Sequence, residues 1–219
     1  MSSKPALKSI DTQPQRQMRV RQKNEHIILK AAEEEFVTFG FKGASMKRIA
    51  ERADLPRANV HYYFKNKVDL YGAVLSDIVE TWNNTFDTIQ EDDDPKTALS
   101  SYIHAKVMYS KTNPEASRIF ASEIIHGAPH LSEYLKTDFQ TWVRKKSRVI
   151  QRWADNGQID PIDPVHLLFF IWSSTQHYAD FGVQVLAALN KKKLSDADFE
   201  HIAKNLTGFV LKGCGIEPN

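Results

Sequence analysis

Residues 45–67 read SMKRIAERADLPRANVHYYFKNK, and this stretch decides the fold of the first part of the chain. Ser45 is a residue type that caps helices. Apolar side chains then recur at the spacing of one helix face, at Met46, Ile49, Ala50 and Ala53. The run Asp-Leu-Pro at 54–56 breaks this pattern, because a proline disfavours helical backbone in the residue before it. The sequence therefore predicts a short helix over 46–53 that ends in a tight turn.

A second short helix is predicted over 57–64. Pro56 is compatible with its start, since a proline is tolerated at the first position of a helix. Cations lie on the outer side of both helices. Two short helices that meet at a sharp turn and carry outward cations are typical of a helix-turn-helix that reads DNA.

The second helix is the predicted reader of base sequence. Arg57 and Asn59 lie at its start, where arginine can pair with guanine and asparagine with adenine in the major groove. Phosphate contacts are expected from other side chains and from backbone N–H groups at the start of the first helix. The apolar positions of the reader are assigned to the core, namely Val60, Tyr63 and Phe64. The full predicted DNA-contacting set is Ser45, Lys47, Arg48, Arg57, Asn59, His61, Tyr62 and Lys67.

Charge is distributed unevenly along the 219 residues, whose net charge is +2. Residues 1–70 carry 14 Lys and Arg against 8 Asp and Glu, whereas residues 71–219 carry 15 against 19. A basic surface attracts the phosphate backbone and releases its counterions. Chance clustering of solvated charges is the alternative, and the helix-turn-helix pattern favours DNA binding over it.

Composition limits the other classes of function. The single Cys214 excludes an internal disulfide framework and fits a reducing cytoplasm. We find no apolar run long enough to span a bilayer and no signal peptide at the polar N-terminus. His126 and His130 are separated by a helix-breaking Gly-Ala-Pro, so loop histidines are favoured over a metal site. We therefore expect a cytoplasmic protein with no cofactor, no metal and no catalytic site.

The chain as a whole is predicted to be all-α, because no stretch shows sustained alternation of apolar and polar residues. Residues 1–22 are read as a flexible basic arm, residues 23–70 as the helix-turn-helix domain and residues 71–219 as a ligand-binding and dimerisation domain. Nine helices are expected, at about 24–39, 46–53, 57–64, 68–90, 96–112, 115–126, 131–156, 164–190 and 196–213.

An N-terminal signature is formed by Gly40-Phe41, Ser45, Ile49-Ala50, Ala53, Val60, Tyr62-Tyr63-Phe64, Lys67 and Leu70. This signature resembles that of the TetR family of bacterial repressors. This resemblance implies a homodimer that binds a near-palindromic operator and changes its grip when a small ligand binds. The family pattern differs from this chain where DNA is touched, at Ala44, Asp54, Pro56 and His61.

Four runs of the remaining chain carry a second resemblance, at 114–118, 127–129, 161–164 and 172–181. They resemble one branch of the family, the uracil-responsive regulators of pyrimidine utilisation. The resemblance implies that uracil or a related pyrimidine catabolite is the effector and that pyrimidine metabolism genes are controlled. An unrelated hydrophobic or drug-like effector is the alternative, and a helical enzyme that does not bind DNA is a weaker one.

Gln176 and Trp82 are the main candidates for ligand contact. A carboxamide offers a donor beside an acceptor, which complements the N–H and C=O of uracil, and an indole can stack on the flat ring. Periodicity alone favours Trp82 as a core residue and Gln176 as a hydrogen-bonding partner within the helical bundle. The family resemblance favours contact of both residues with the ligand. Arg118 could instead pair with a neighbouring glutamate. The remaining predicted lining residues are Phe120, Glu123, Thr175 and Tyr178.

Dimerisation is predicted through the last two helices, 164–190 and 196–213. Their apolar side chains exceed what the core of one subunit needs. Coupling between ligand and DNA is assigned to the long helix 68–90, because its start belongs to the DNA module and its middle carries Trp82.

Overall fold

The computed structural model describes residues 13–86 and 89–218, with side chains described over 18–82 and 89–218. The described residues form helices and turns and contain no strand, which confirms the all-α prediction. Among them, no helix combines the length and apolar character that crossing a bilayer requires. The chain divides into two compact units, residues 1–74 and 75–219, whereas the sequence placed the boundary after residue 70.

The N-terminal unit contains α1 (Gln13–Gly43), α2 (Met46–Arg52), α3 (Arg57–Tyr63) and the beginning of α4 (Lys67–Phe86). The predicted start of the first helix near residue 24 was wrong, since α1 already includes residue 13. Of the predicted flexible arm, residues 1–12 lie outside the described residues and residues 13–22 are helical. Gly40 interrupts α1 with a φ of +65°, left-handed backbone that glycine adopts at little cost.

A buried glutamate joins the helices of this unit. The Glu35 side chain is fully buried, and its Oε1 accepts from the Ser45 backbone N–H at 3.1 Å and from Arg48 Nε at 2.6 Å. Its Oε2 accepts from Arg52 Nε at 3.2 Å. A buried carboxylate needs such donors. Glu35 therefore ties α1 to the start and the end of α2.

The C-terminal unit continues α4 and adds α5 to α11. The bounds are α5 (Pro95–Thr112), α6 (Pro114–Ile125), α7 (Ser132–Tyr134), α8 (Gln140–Asp155), α9 (Pro164–Asp180), α10 (Gly182–Ala188) and α11 (Asp196–Gly213). A π-helical turn at Leu135–Phe139 separates α7 from α8, so the single helix predicted over 131–156 was wrong. The helix predicted over 164–190 is also divided, at Phe181, because Gly182 follows and glycine weakens a helix.

The core of this unit forms around α5, which packs against α9, α11 and α6. Leu99, Ile103 and Val107 lie on its buried side and are fully inaccessible to solvent. Leu168 and Ile171 of α9 are equally buried. The nearly all-apolar first half of α9 is explained by this packing.

Lys146 of α8 is also fully buried, and its Nζ donates to the Ile89 carbonyl oxygen at 2.6 Å. Arg152, farther along α8, forms an ion pair with Glu91. Both contacts fasten α8 to the segment that leads into α5.

Replacing Glu35 with alanine tests the junction of α1 and α2. We expect the free energy of unfolding of the N-terminal unit to fall by about 2–3 kcal/mol, because two guanidinium groups and a backbone N–H lose a buried acceptor. Denaturant unfolding followed by far-UV circular dichroism measures this loss. The four tryptophans all lie in the C-terminal unit, so their fluorescence transition should stay unchanged.

Glu34→Ala is the matched control. The Glu34 side chain is 62% exposed, and its Oε2 lies 3.2 Å from Arg52 Nη1. Exposed ion pairs contribute little, so we expect a change below about 0.5 kcal/mol. Equal losses in the two variants would contradict the role given to Glu35.

Candidate functional site

The outward face of α3 presents the predicted base readers. Arg57 and Asn59 are exposed at its start, while Val60 and Phe64 are buried beneath them. Asp54 in the preceding turn has a φ of +50°, left-handed backbone that aspartate tolerates better than most residues. This conformation explains how aspartate occupies a turn where the family pattern has glycine.

The other predicted contacts on α3 are also exposed. Tyr62 is 75% exposed, and its ring meets that of Tyr63 edge to face at 5.4 Å. His61 Nε2 lies 3.4 Å from Arg57 Nε, at the long end of hydrogen-bond distances. Lys47 on α2 is exposed and only loosely paired with Glu51, at 3.8 Å. These side chains are available to a phosphate or a base edge.

Two of the predicted phosphate contacts, Ser45 and Arg48, also make contacts within the protein. Arg48 donates to Glu35 and to the Gly43 carbonyl oxygen, and its guanidinium lies 4.4 Å from the centre of the Phe39 ring. The Ser45 backbone N–H is occupied by Glu35, and its Oγ accepts from the Arg48 backbone N–H at 3.2 Å. Arg48 thus uses its Nε and Nη2 within the protein, while its side chain stays 41% exposed.

The ammonium group of Lys67 also makes hydrogen bonds within the protein. Its Nζ donates to the carbonyl oxygens of Lys42 and Ala44 at 3.1 and 3.0 Å and lies 4.9 Å from the centre of the Phe41 ring. Cations near the C-terminus of a helix satisfy its last carbonyl groups. Lys67 therefore closes the end of α1 with two of its three donors.

A cavity of about 330 Å³ lies in the C-terminal unit. It brings together three of the predicted ligand residues, Trp82, Phe120 and Gln176. Its other described lining residues are Tyr102, Lys106, Ile124, Tyr134, Leu135, Phe139, Trp142 and Trp172. Mostly apolar walls with a few polar groups are typical of a small-molecule site.

Aromatic contacts shape this cavity from two sides. The Trp82 ring lies 4.3 Å from that of Phe120, centre to centre. On the other side, Trp172 lies 5.6 Å from Phe139, and its Nε1 donates to the Tyr102 hydroxyl at 2.7 Å. These distances are in the range in which rings attract each other through their quadrupoles.

Four predicted ligand residues do not line this cavity. Thr175 is fully buried, and its hydroxyl donates to the Ile171 carbonyl oxygen at 2.7 Å. Tyr178 lies on a different groove with α10 and α11. The reason is helix periodicity, since residues one or two positions from Gln176 point elsewhere.

The other two of these residues lie on α6. Arg118 is exposed and donates to the Pro114 carbonyl oxygen at 3.2 Å and to Glu115 at 3.4 Å, as in the alternative left open for it. Glu123 is buried and accepts from the His130 backbone N–H at 2.6 Å. It fastens the loop after α6.

Lys106 and Tyr102 were missed by sequence reasoning. Both lie on the buried side of α5, one turn apart, and are 5% and 1% exposed. The available signal was a lysine in register with the apolar positions Ile103 and Val107. We found no cluster of three or more His, Cys, Asp or Glu that could hold a metal ion in the part of the chain that the structure describes.

Both units match families of known proteins. Residues 28–74 match the family described as bacterial regulatory proteins, tetR family, and residues 75–217 match the YcdC-like protein, C-terminal region. The chain belongs to the TetR family of transcriptional regulators and is not an enzyme.

One curated relative is the HTH-type transcriptional regulator RutR of Escherichia coli strain K12. It is 39% identical over 186 residues, which cover 85% of this chain and 88% of RutR. The HTH-type transcriptional repressor NicS of Pseudomonas putida is 32% identical over 104 residues, 47% of this chain and 49% of NicS.

Solved structures share the fold. A regulatory protein of the TetR family from Rhodococcus RHA1 has a TM-score of 0.72 at 18% identity and covers 90% of this chain and 99% of its own. AibR, in complex with isovaleryl coenzyme A and operator DNA, has a TM-score of 0.65 at 16% identity and covers 85% and 97%.

Asn59→Ala and Lys47→Ala separate base reading from phosphate binding. For an operator selected from random duplexes, we expect Asn59→Ala to cost about 1–3 kcal/mol and to relax the preference at one base pair. Lys47→Ala should weaken binding to all duplexes alike and reduce the salt slope by about one. Fluorescence anisotropy at several salt concentrations measures both. An unchanged ranking of duplexes by Asn59→Ala would rule out its base-reading role.

Proposed function

We propose that this regulator is a cytoplasmic homodimeric repressor that binds a near-palindromic operator. It senses uracil or a related pyrimidine catabolite in the cavity lined by Trp82, Phe120 and Gln176. The genes under its control are those of pyrimidine metabolism. The proposed DNA contacts are the exposed side chains of α2 and α3. The observation that supports the effector most directly is the meeting of Gln176 with Trp82 and Phe120 at one cavity.

The chemistry of the cavity supports a small planar amide as effector. The Gln176 carboxamide offers a donor and an acceptor side by side, and the N–H and C=O of a pyrimidine imide are their complement. The rings of Trp82 and Trp172 lie at the same cavity and offer flat faces. Since a water molecule takes about 30 Å³ in the liquid, 330 Å³ suits on the order of ten non-hydrogen atoms.

A dimer is supported by apolar side chains that the C-terminal unit leaves exposed. Phe181 is 52% exposed, Val183 87% and Phe209 67%, on or beside α10 and α11. Large exposed apolar side chains mark interaction surfaces, and two-fold symmetry is the common way to cover them. Two copies also supply the paired readers that successive major grooves require.

The route from effector to DNA is proposed to be α4. This helix contributes residues 67–74 to the N-terminal unit and carries Trp82 of the cavity. An effector that favours one position of α4 would change the spacing of the two readers.

An unrelated hydrophobic effector is the second candidate, and the apolar walls of the cavity favour it. Most of the lining residues are aromatic or aliphatic. Such a ligand would make no use of the Gln176 carboxamide, so a substitution at this position separates the two candidates.

Gln176→Leu tests the pyrimidine proposal. We expect uracil to raise the melting temperature of the full chain by mass action and to lower its affinity for the selected operator. Gln176→Leu should weaken uracil about tenfold to a hundredfold, because hydrogen bonds to the ring are lost. Gln158→Leu, an exposed position in the turn after α8, is the matched control and should bind uracil normally.

Thermal shift with uracil, thymine and short-chain fatty acids distinguishes the candidates. A shift by the acids alone, undiminished by Gln176→Leu, would favour the hydrophobic effector. Unchanged stability and operator affinity at saturating pyrimidines would reject the pyrimidine role.

A further inference from the structure

The cavity contains a charged group that a neutral ligand does not require. Lys106 is 5% exposed and is the one charged side chain among the described residues that line the cavity. Its Nζ lies 5.3 Å from the centre of the Trp82 ring, within cation–π range. Burying an ammonium is costly unless opposite charge or dipoles compensate.

Part of the compensation for the buried ammonium comes from a carboxylate that does not line the cavity. Asp180 of α9 lies close enough to Lys106 to favour its charged form, and its Oδ1 accepts from the Ser117 hydroxyl at 2.6 Å. Asp180 itself does not line the cavity. Burial lowers the pKa of Lys106 to about 7, and Asp180 opposes this shift. Burial likewise raises the pKa of Asp180.

Several charged groups on the helices around Lys106 act on Asp180 or have other partners. Lys146 of α8 donates to the Ile89 carbonyl oxygen at 2.6 Å, and its Nζ lies 5.9 Å from the centre of the Trp142 ring, which lines the cavity. His177 of α9 and Arg118 of α6 both favour the Asp180 carboxylate. The three carboxylates of α11 have other partners, since Glu200 contacts His104, Asp196 pairs with Lys111 and Asp198 pairs with Lys191. The lining tyrosines stay neutral, because burial raises the pKa of Tyr134 to about 12 and that of Tyr102 further.

We propose that Lys106 determines effector specificity by selecting a small amide-bearing monoanion, whose negative oxygen faces the ammonium while its amide edge faces Gln176. Asp180 is the positioning residue that holds the ammonium charged. This inference rests on the proposed function only in taking the cavity as the effector site. Two sources supply this chemistry: a pyrimidine imide in its ionised form, or a ring-opened ureido acid.

The charge of Lys106 makes effector binding depend on pH. An anion forms an ion pair only with the protonated form of Lys106. The affinity of a ligand that is ionised throughout this range is therefore highest below pH 7 and falls as the pH rises through 7. Well above that pH the fall approaches about tenfold per pH unit. A ligand that binds as a neutral molecule gains much less from the ammonium, so its affinity should change little over the same range.

Titration calorimetry on the full chain tests this inference with three probes between about pH 6 and about pH 8.5. The probes are uracil, the more acidic 5-fluorouracil, and 3-ureidopropionate, a ring-opened ureido carboxylate. We expect Lys106→Met to weaken 3-ureidopropionate, and 5-fluorouracil where it is ionised, by about tenfold or more. Uracil should weaken by less than about threefold if it binds as the neutral ring, and as much as 5-fluorouracil if it binds in its ionised form. Lys111→Met, on the same helix but paired at the surface, should change none of them.

Asp180→Asn gives an independent readout. It removes the charge that supports the ammonium, so the pH at which 3-ureidopropionate affinity falls should shift downward. A merely structural role for Asp180 would weaken binding without moving this midpoint. The pH profile of the unsubstituted protein needs no variant and tests the inference even if Lys106→Met does not fold.

The outcomes separate this inference from the pyrimidine proposal. Equal weakening of uracil and both acidic probes by Lys106→Met, with a flat pH profile, would overturn the selection of an anion and leave uracil as effector. Binding of 3-ureidopropionate alone, lost in Lys106→Met, would support the anion and reject the pyrimidine ring. Tighter binding of 5-fluorouracil than of uracil identifies the ionised imide as the source of the anion. Binding of none of the probes would overturn both proposals.

Discussion

The burial of α5 is the constraint on which the C-terminal unit depends. α9 and α11 cover its apolar side, and Leu99, Ile103 and Val107 become inaccessible to water. Once these positions are fixed, Tyr102 and Lys106 must face the space between α5, α6, α8 and α9, because residues three and four apart share a helix face. The cavity and its buried cation are therefore consequences of the packing that stabilises the unit.

The N-terminal unit depends on a different interaction of the same kind. Glu35 is buried without contact with water, and the donors that satisfy it are the cap of α2 and two arginines. This arrangement divides the cations of the helix-turn-helix into two groups. Arg48 and Arg52 hold the helices together, whereas Lys47 and Arg57 remain exposed.

Much of the fold could be predicted from local patterns. Ser45 caps α2, Gly40 has the left-handed backbone expected near the end of the first helix, and Pro164 begins α9. The breaks at the π-helical turn and at Phe181 were missed because the apolar periodicity continues across them. Periodicity reports which face is buried, and it does not report whether the backbone hydrogen bonds are continuous.

The sequence by itself determined the all-α class, the helix-turn-helix and the family, because these depend on short-range spacing of residue types. It also indicated Trp82, Phe120 and Gln176, which the cavity brings together. Only the tertiary structure decided that Thr175, Tyr178, Arg118 and Glu123 lie outside the cavity and that Lys106 lies within it. The physical reason is that a cavity is formed by helices far apart in sequence, whose rotation relative to each other is set by packing. The local spacing of residue types does not determine that rotation.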